Sequence, residues 1–295
     1  MNALKETKKK HLLAILKYLY LHNSSTMNEL VENLQLSQPS IRNMVRTLQE
    51  KQLIQEVGND LSSGGRCPTR FALNENNYLI LCLYVQVDKV IYQLRNFNEI
   101  KKEDILFYQS EDELKKTIKD LIDQEKIHCC QIAVEGIVYE DVYVTDHHNV
   151  LEKHQWLKDI KKEINIPLQL QNDVKMIHQG CYFTYQQDST YYLYINEVGI
   201  GSSYFYKDEP LYGRSGIMGK IGLISLKGKT INQQIRECQN QEEFNEILSL
   251  LLSMVFTMID PKRLELSLDL KWRYEKKIIE KVLNEIYEEL NKEFI

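Results

Sequence analysis

The residue types that could do chemistry are concentrated first between Gln38 and Thr47. Gln38, Ser40, Arg42, Asn43, Arg46 and Thr47 share one face of a helix, and Ile41, Met44, Val45 and Leu48 share the other. Gln, Asn and Arg carry the paired donors and acceptors that match adenine and guanine edges in a DNA major groove. Ser and Thr suit phosphate oxygens. An ordinary solvated face is the competing reading of that helix taken alone. Further on, Gly64-Gly65 tolerates a tight turn and sets Arg66 at its tip. Such a tip can enter a minor groove, whose negative potential favours a guanidinium. Other reactive types are scattered. His147, His148 and His154 have no carboxylate at useful spacing and read as surface residues of a loop. The six cysteines (67, 82, 129, 130, 181 and 238) form no CxxC and no zinc-like spacing with histidine. They read as reduced thiols of a cytoplasmic protein. Tyr191, Tyr192, Tyr194, Tyr204, Tyr206 and Tyr212 cluster in the second half. They suit strand positions better than a stacking surface.

The elements that must hold the polar helix are legible around it. Leu12, Leu13, Ile15, Leu16 and Leu19 predict a first helix over 7–21. HNSS breaks it. Thr26 with Glu29 three residues on predicts a capping box for a short second helix. Ser37 and Pro39 start the third helix, Pro39 in the first turn where its missing N–H costs nothing. Segments 53–57 and 70–73 predict two strands joined by the glycine-bearing loop. Helix, short helix, polar helix and Gly-Arg hairpin, in that order, predict an N-terminal winged helix-turn-helix over residues 1–75.

Residues 76–295 predict a second, larger α/β region. Strands are expected at 79–87, 89–95, 130–134, 167–170, 191–195 and 264–268, with a returning strand through Tyr206. Helices are expected at 111–124, 156–164, 174–183, 244–259 and 273–290. The most apolar stretch, 247–259, is about half of what a membrane span needs and reads as a buried helix. The basic start lacks a small-residue cleavage site, so no secretory signal is expected. Net charge is −5, unevenly placed: residues 1–75 sum to +3 and 76–295 to −8. A basic head on an acidic body suits a head that meets phosphate.

The wing Ser62-Ser63-Gly64-Gly65-Arg66-Cys67-Pro68 is similar to the "SSGGRRP" wing of the xylose-repressor-like branch of the ROK family (repressors, open reading frames and sugar kinases), with Cys67 in place of a basic residue. The larger region also resembles this family along most of its length. Val134-Glu135-Gly136-Ile137-Val138 is a reduced "GxPGxVd", and Asn172-Asp173 is the intact Asn-Asp pair. Glu197 to Ser203 fits the "GTGIGGG" loop with losses. Leu211-Tyr212-Gly213-Arg214-Ser215-Gly216-Ile217-Met218-Gly219-Lys220-Ile221-Gly222-Leu223 lines up with "LYRGxxGxAGEIGH". Asp260-Pro261 opens the late "DPexIvlgG". The resemblance implies an actin-like, sugar-kinase-type α/β domain of two lobes around a cleft.

Departures from that pattern shape the expected function. The "DxGGT" loop that holds ATP phosphates in family kinases corresponds to Tyr84-Val85-Gln86-Val87-Asp88-Lys89, which has no glycine for close phosphate approach. The sugar-contacting Glu of "GEIGH" is Lys220, and its zinc-binding His is Leu223. The "CxCGxxGC" knuckle is missing, and lone Cys238 cannot hold structural zinc. No cofactor is therefore expected, neither ATP nor zinc. In family kinases the Asp of the Asn-Asp pair takes the proton from the sugar hydroxyl. Here Asn172 and Asp173, with Lys220, become candidates for binding a small sugar effector, set against a local role in capping the next helix. The expected protein is a non-enzymatic, cytoplasmic transcriptional regulator, a repressor of carbohydrate-utilisation genes. It would bind double-stranded operator DNA as a homodimer. A divergent sugar kinase with a DNA-binding head and a ligand-independent DNA-binding dimer are the alternatives.

Overall fold

In the computed structural model, residues 2–59, 67–147, 150–185, 188–207, 209–270 and 278–285 are described. The wing tip carrying Gly64, Gly65 and Arg66 lies outside them. The chain forms two compact units, residues 1–133 with 156–170 and residues 134–155 with 171–295.

The first unit opens with α1 (Asn2–His22), β1 (Ser24–Thr26), α2 (Met27–Leu34), α3 (Gln38–Glu50), β2 (Ile54–Asn59) and β3 (Thr69–Leu73). The expected capping box is present: Glu29 N–H donates to the Thr26 hydroxyl at 3.2 Å, and Thr26 N–H donates to the Glu29 carboxylate at 2.9 Å. The break read at HNSS runs into a short strand, β1, antiparallel to β3 with Ser24 opposite Ala72. β2 lies antiparallel to β3 on its other edge, with a bulge between Glu56 and Gly58. Ile15, Leu19, Leu30, Ile41, Val45, Leu48, Ile54 and Phe71 close a core among these elements. Arg70 on β3 grips the start of α2 from the side. Its guanidinium donates to both Glu29 carboxylate oxygens at 3.2 and 3.3 Å and to Ser24.

The chain continues through β4 (Ile80–Val85), β5 (Lys89–Arg95), β6 (Ile100–Phe107), α4 (Glu111–Gln124) and β7 (Cys129–Val134). β4 and β5 pair as an antiparallel hairpin, and β6 extends it. β6 was not anticipated, because IKKEDILF lacks the alternation of a half-buried strand. It is the sheet's outer strand and is exposed on both faces, charged residues covering the edge. The β5–β6 turn carries Phe97, which stacks on Tyr78 with centroids 5.5 Å apart and packs against the core of the first three helices. Tyr78 stacks in turn on His128 at 4.8 Å.

Beyond β7, the strands β8 (Ile137–Tyr139), β9 (Val142–His147) and β10 (Val150–His154) form an antiparallel sheet in the second unit. The loop expected over this stretch is therefore corrected: His147 and His154 lie on strands, while His148 is outside the described residues. His154 is half-buried, stacks on Tyr143 and hydrogen-bonds Thr145 at 3.1 Å. α5 (Trp156–Glu163) and β11 (Leu168–Asn172) return to the first unit, completing the strand order β11-β7-β4-β5-β6.

The second unit resumes with α6 (Asp173–Tyr185), β12 (Ser189–Asn196), β13 (Ile200–Tyr206), β14 (Glu209–Pro210), β15 (Ser225–Leu226), β16 (Lys229–Thr230), α7 (Ile231–Glu237), α8 (Gln241–Met258) and β17 (Arg263–Asp269). Its main sheet has the order β14-β13-β12-β17, with β12 and β17 parallel. The apolar stretch over 247–259 is the inner part of α8 as expected, with Leu248, Leu251, Leu252 and Val255 buried against Leu193 and Ile195 of β12. Among the described residues no helix is long and apolar enough to cross a membrane. The closing helix expected at 273–290 falls within the described residues only at 278–285, which are helical.

Candidate functional site

α3 divides its residues as its spacing demands. Ile41, Met44, Val45 and Leu48 are buried, while Gln38, Arg42, Asn43 and Arg46 are exposed. Two members of the polar face are partly spent on local bonds. The Thr47 hydroxyl donates to the Asn43 carbonyl at 2.9 Å, and Ser40 lies 2.9 Å from the hydroxyl of Ser37. Arg46 stands 3.7 Å from Glu50 with both side chains largely in solvent, a contact too weak to hold it there. Arg42 and Asn43 remain presented outward. Arg70, by contrast, spends its charge inside the head on Glu29 and Ser24.

In the second unit, Asn172 and Asp173 stand at the N-terminus of α6. Asn172 is buried and its amide is fully engaged. Its Oδ1 accepts from Lys175 N–H at 3.2 Å, and its Nδ2 donates to the Gly136 carbonyl at 3.0 Å and to Asp173 Oδ1 at 2.8 Å. Asp173 Oδ1 also accepts from Val174 N–H at 2.8 Å. The local capping role weighed from sequence is thus present, and Asn172 also ties the start of α6 to the Gly136 turn within the second unit.

The segment bearing Lys220 is pinned by glycines. Gly216 and Gly219 have φ of +74° and +93°, and a Cβ there would lie 2.2 Å from the Val138 carbonyl oxygen and 2.0 Å from that of Ser202. Only glycine satisfies both demands. Ser202 N–H and its hydroxyl then both donate to the Gly219 carbonyl, at 2.9 and 3.0 Å. This fixes Lys220 near Asp173 and Glu135, whose carboxylates favour its charge, although burial outweighs them and lowers its pKa. A residue that sequence reasoning passed over joins them. Lys175 is buried, its ammonium 3.4 Å from the Gly216 carbonyl and 4.8 Å above the Tyr212 ring. Burial, reinforced by the neighbouring Lys220 charge, holds its pKa down at about 8. A signal was available: Lys175 shares its helical spacing with His178 and Tyr182, both buried, so it stands on the inward stripe of α6.

Two turns bear on phosphate binding. At the β4–β5 hairpin, Gln86 N–H donates to Lys89 at 2.9 Å, the Tyr108 hydroxyl donates to the Gln86 carbonyl, and the tip carries Asp88. At the β12–β13 turn, the backbone N–H groups that a phosphate would need already have side-chain partners. Val198 and Gly199 donate to Asn196 Oδ1 at 3.0 and 2.9 Å, and Ile200 donates to Asn232 Oδ1 at 2.9 Å. Asn232, on the unanticipated helix α7, sits so close to Gly199 and Gly222 that a Cβ at either would collide with it.

The profile of the ROK family matches residues 96–249, more than half of the chain, and the chain belongs to that family. Over 229 residues it is 24% identical to the xylose repressor of Staphylococcus xylosus, a match covering 70% of this chain and 58% of that protein. The chain thus spans little more than half the length of that relative. Among solved structures, a ROK family transcriptional regulator, homologous to the E. coli MLC protein, superposes with a TM-score of 0.67 at 14% identity, covering 91% of this chain and 84% of its own. A ROK family protein from Streptococcus pneumoniae, solved in complex with sucrose, gives a TM-score of 0.56 at 13% identity over 70% of this chain and 86% of its own. A ROK hexokinase from Thermus thermophilus has the same mixed α/β fold. At such identities these likenesses establish the fold.

Proposed function

We propose that the chain is a sequence-specific DNA-binding transcriptional regulator, a repressor of carbohydrate-utilisation genes, whose family domain is non-catalytic. The observation that carries this reading is α3, with Gln38, Arg42, Asn43 and Arg46 exposed opposite a fully buried stripe. Placed after α2 and before the β2–β3 hairpin, α3 has the position of a recognition helix, and the hairpin that of a wing. The similarity to a xylose repressor and to a family transcriptional regulator supports the same reading. One head offers too little surface for operator-level discrimination, so a homodimer with two heads on a near-palindromic site is part of the proposal. Residues 76–295 would supply the dimer interface and sense a small sugar near Asn172, Asp173 and Lys220. A ligand shifts such a regulator only by its differential affinity for two states.

The kinase reading keeps some support from the intact Asn172-Asp173 pair and from kinases of the same fold. Against it stand the acidic, glycine-free β4–β5 tip and the β12–β13 turn with its donors already bonded to Asn196 and Asn232. Sugar-dependent ATP turnover in a coupled assay would establish it.

The DNA reading is tested by selecting bound duplexes from a randomised pool, then titrating Arg42→Ala and Arg66→Ala against the winners. Losing a base-reading side chain costs about 1–3 kcal/mol, so roughly fivefold or greater weakening is expected for Arg42→Ala. Arg66→Ala is expected to weaken binding as well, with folding intact by circular dichroism for both. No enrichment from the pool, or unchanged affinity for both variants, would sink the assignment.

A further inference from the structure

We propose that His128 is a proton-operated catch: as the neutral imidazole it holds the start of β4 to the start of β7 and keeps the stacked rings of Tyr78 and Phe97 in place, and on taking up a proton it lets them go. The inference goes beyond the DNA-binding reading and does not depend on it.

The chain leaves the head through residues 74–79 and enters β4. There Leu79 and His128 bond each other twice. His128 N–H donates to the Leu79 carbonyl at 2.9 Å, and Leu79 N–H donates to Nδ1 of the His128 ring at 3.0 Å. A backbone N–H can only donate, so Nδ1 must offer a free lone pair. That condition holds for the neutral ring with its proton on Nε2. It fails for the imidazolium, in which both nitrogens are donors. Two N–H groups would then face each other, and the half-buried Leu79 amide would lose its acceptor. A half-turn of the ring brings no relief, because it sets a carbon, Cδ2, against the same amide.

The charged groups on the segments that meet here are otherwise engaged or flank β7. Glu75 takes a hydrogen bond from Asn98, Glu99 pairs with Lys101, and Arg95 donates to the Asn96 carbonyl. Glu125 and Lys126 precede β7. Tyr78 stacks on the ring and Cys129 follows it in the chain. Burial raises the pKa of both, so both stay uncharged where an imidazole titrates. Among the described residues none of these groups hydrogen-bonds the His128 ring. An added proton gains a cation–π contact with the Tyr78 face, which offsets only part of the cost of an amide left without its partner. The catch is in series with the head: His128 stacks on Tyr78, Tyr78 on Phe97, and Phe97 packs against the core of the first three helices. Acidification therefore loosens the seat of the head while the core of each part stays intact.

Amide hydrogen exchange and calorimetry of the full chain across about pH 5 to 8, the span in which an imidazole titrates, test the catch. After correction for the intrinsic exchange rate, the Leu79 amide is expected to lose about tenfold or more of its protection at the acid end, the scale of one lost hydrogen bond. An earlier transition belonging to the head should separate in the calorimeter over the same range. His128→Asn, whose Oδ1 can stand where Nδ1 does, should keep the Leu79 amide protected at both ends. His128→Phe retains a ring face for Tyr78 but has no acceptor, and should show the acid behaviour throughout. An acid response of equal size in His128→Asn would assign it to another group and overturn the proposal. So would a Leu79 amide equally protected across the range in the wild type, or one still protected in His128→Phe. None of these readouts involves DNA, so failure here leaves the regulator reading to its own test.

Discussion

Lys175 and His178 stand one turn apart on the buried stripe of α6, and burial acts on both in the same direction. It holds Lys175 down at about 8, below the ordinary 10.5, and His178 down at about 4, below the ordinary 6.5. In each case the unfolded chain takes up a proton at a pH where the folded chain does not. Stability therefore rises with pH in two separate windows, between about 4 and 6.5 for His178 and between about 8 and 10.5 for Lys175. Urea midpoints measured across both windows should show the upper rise disappearing in Lys175→Met, with the lower one kept. The same variant should be more stable than the wild type near pH 7, because it no longer buries a charge. A variant less stable there would mean that Lys175 is held by more than the Gly216 carbonyl and the Tyr212 ring. At this scale the sequence was legible where a residue's neighbours in the chain decide its role. Thr26 with Glu29 and the inward set Ile41, Met44, Val45 and Leu48 are of that kind. Lys175 was not, because its surroundings come from a segment 41 residues away. Its pairing with Tyr212 and Gly216 has no local signature beyond the spacing it shares with His178.

At the scale of elements, the start of α2 is tied both from within and from β3. Thr26 and Glu29 bond reciprocally, and Arg70 reaches across from β3 to the same carboxylate. Hydrogen bonding from the Thr26 backbone, the largest influence, holds the Glu29 carboxyl below its usual range. Thr26→Ala is expected to lower stability by about 1 kcal/mol, read as a shift in the urea midpoint. Ser37→Ala should cost clearly less, since the Ser37 side chain makes no capping bond to α3 and instead meets Ser40. Equal losses would show that the reciprocal bonds at Thr26 add nothing. Elements with a strong period were legible: α4 begins and ends where its apolar spacing places it, and β5 likewise. Those without one were not. β1 is three polar residues long, β6 is exposed on both faces, and α7 is a seven-residue helix between a two-residue strand and α8. Each is defined by its partners in space. The missed helix α7 matters most, since it carries the Asn232 that closes the β12–β13 turn.

On the scale of the whole molecule, the uneven charge was readable from composition, and so was the alternation of strands and helices after residue 76. Family membership extends that reading to a fold shared by regulators and kinases. The way the first three helices meet the sheet that follows was not readable, because it depends on side chains of a distant turn, Phe97 and Asn98, the latter bonded to Glu75. Phe97 leaves the β5–β6 turn and packs into the core built by α1, α2 and α3, with Tyr78 stacked between it and His128. Phe97→Ser should separate a single calorimetric unfolding transition into two, the earlier one belonging to the head. A single transition with an unchanged midpoint would mean that Phe97 joins nothing.

That contact has a mechanical meaning. A head on a loose tether would sample many directions, and any message from the rest of the chain would fade along the linker. With Phe97 packed against its core, the head is held at a corner of the β4–β5–β6 sheet, so a tilt of that sheet would carry α3 with it. Tilting one hairpin would then re-aim the exposed face of α3.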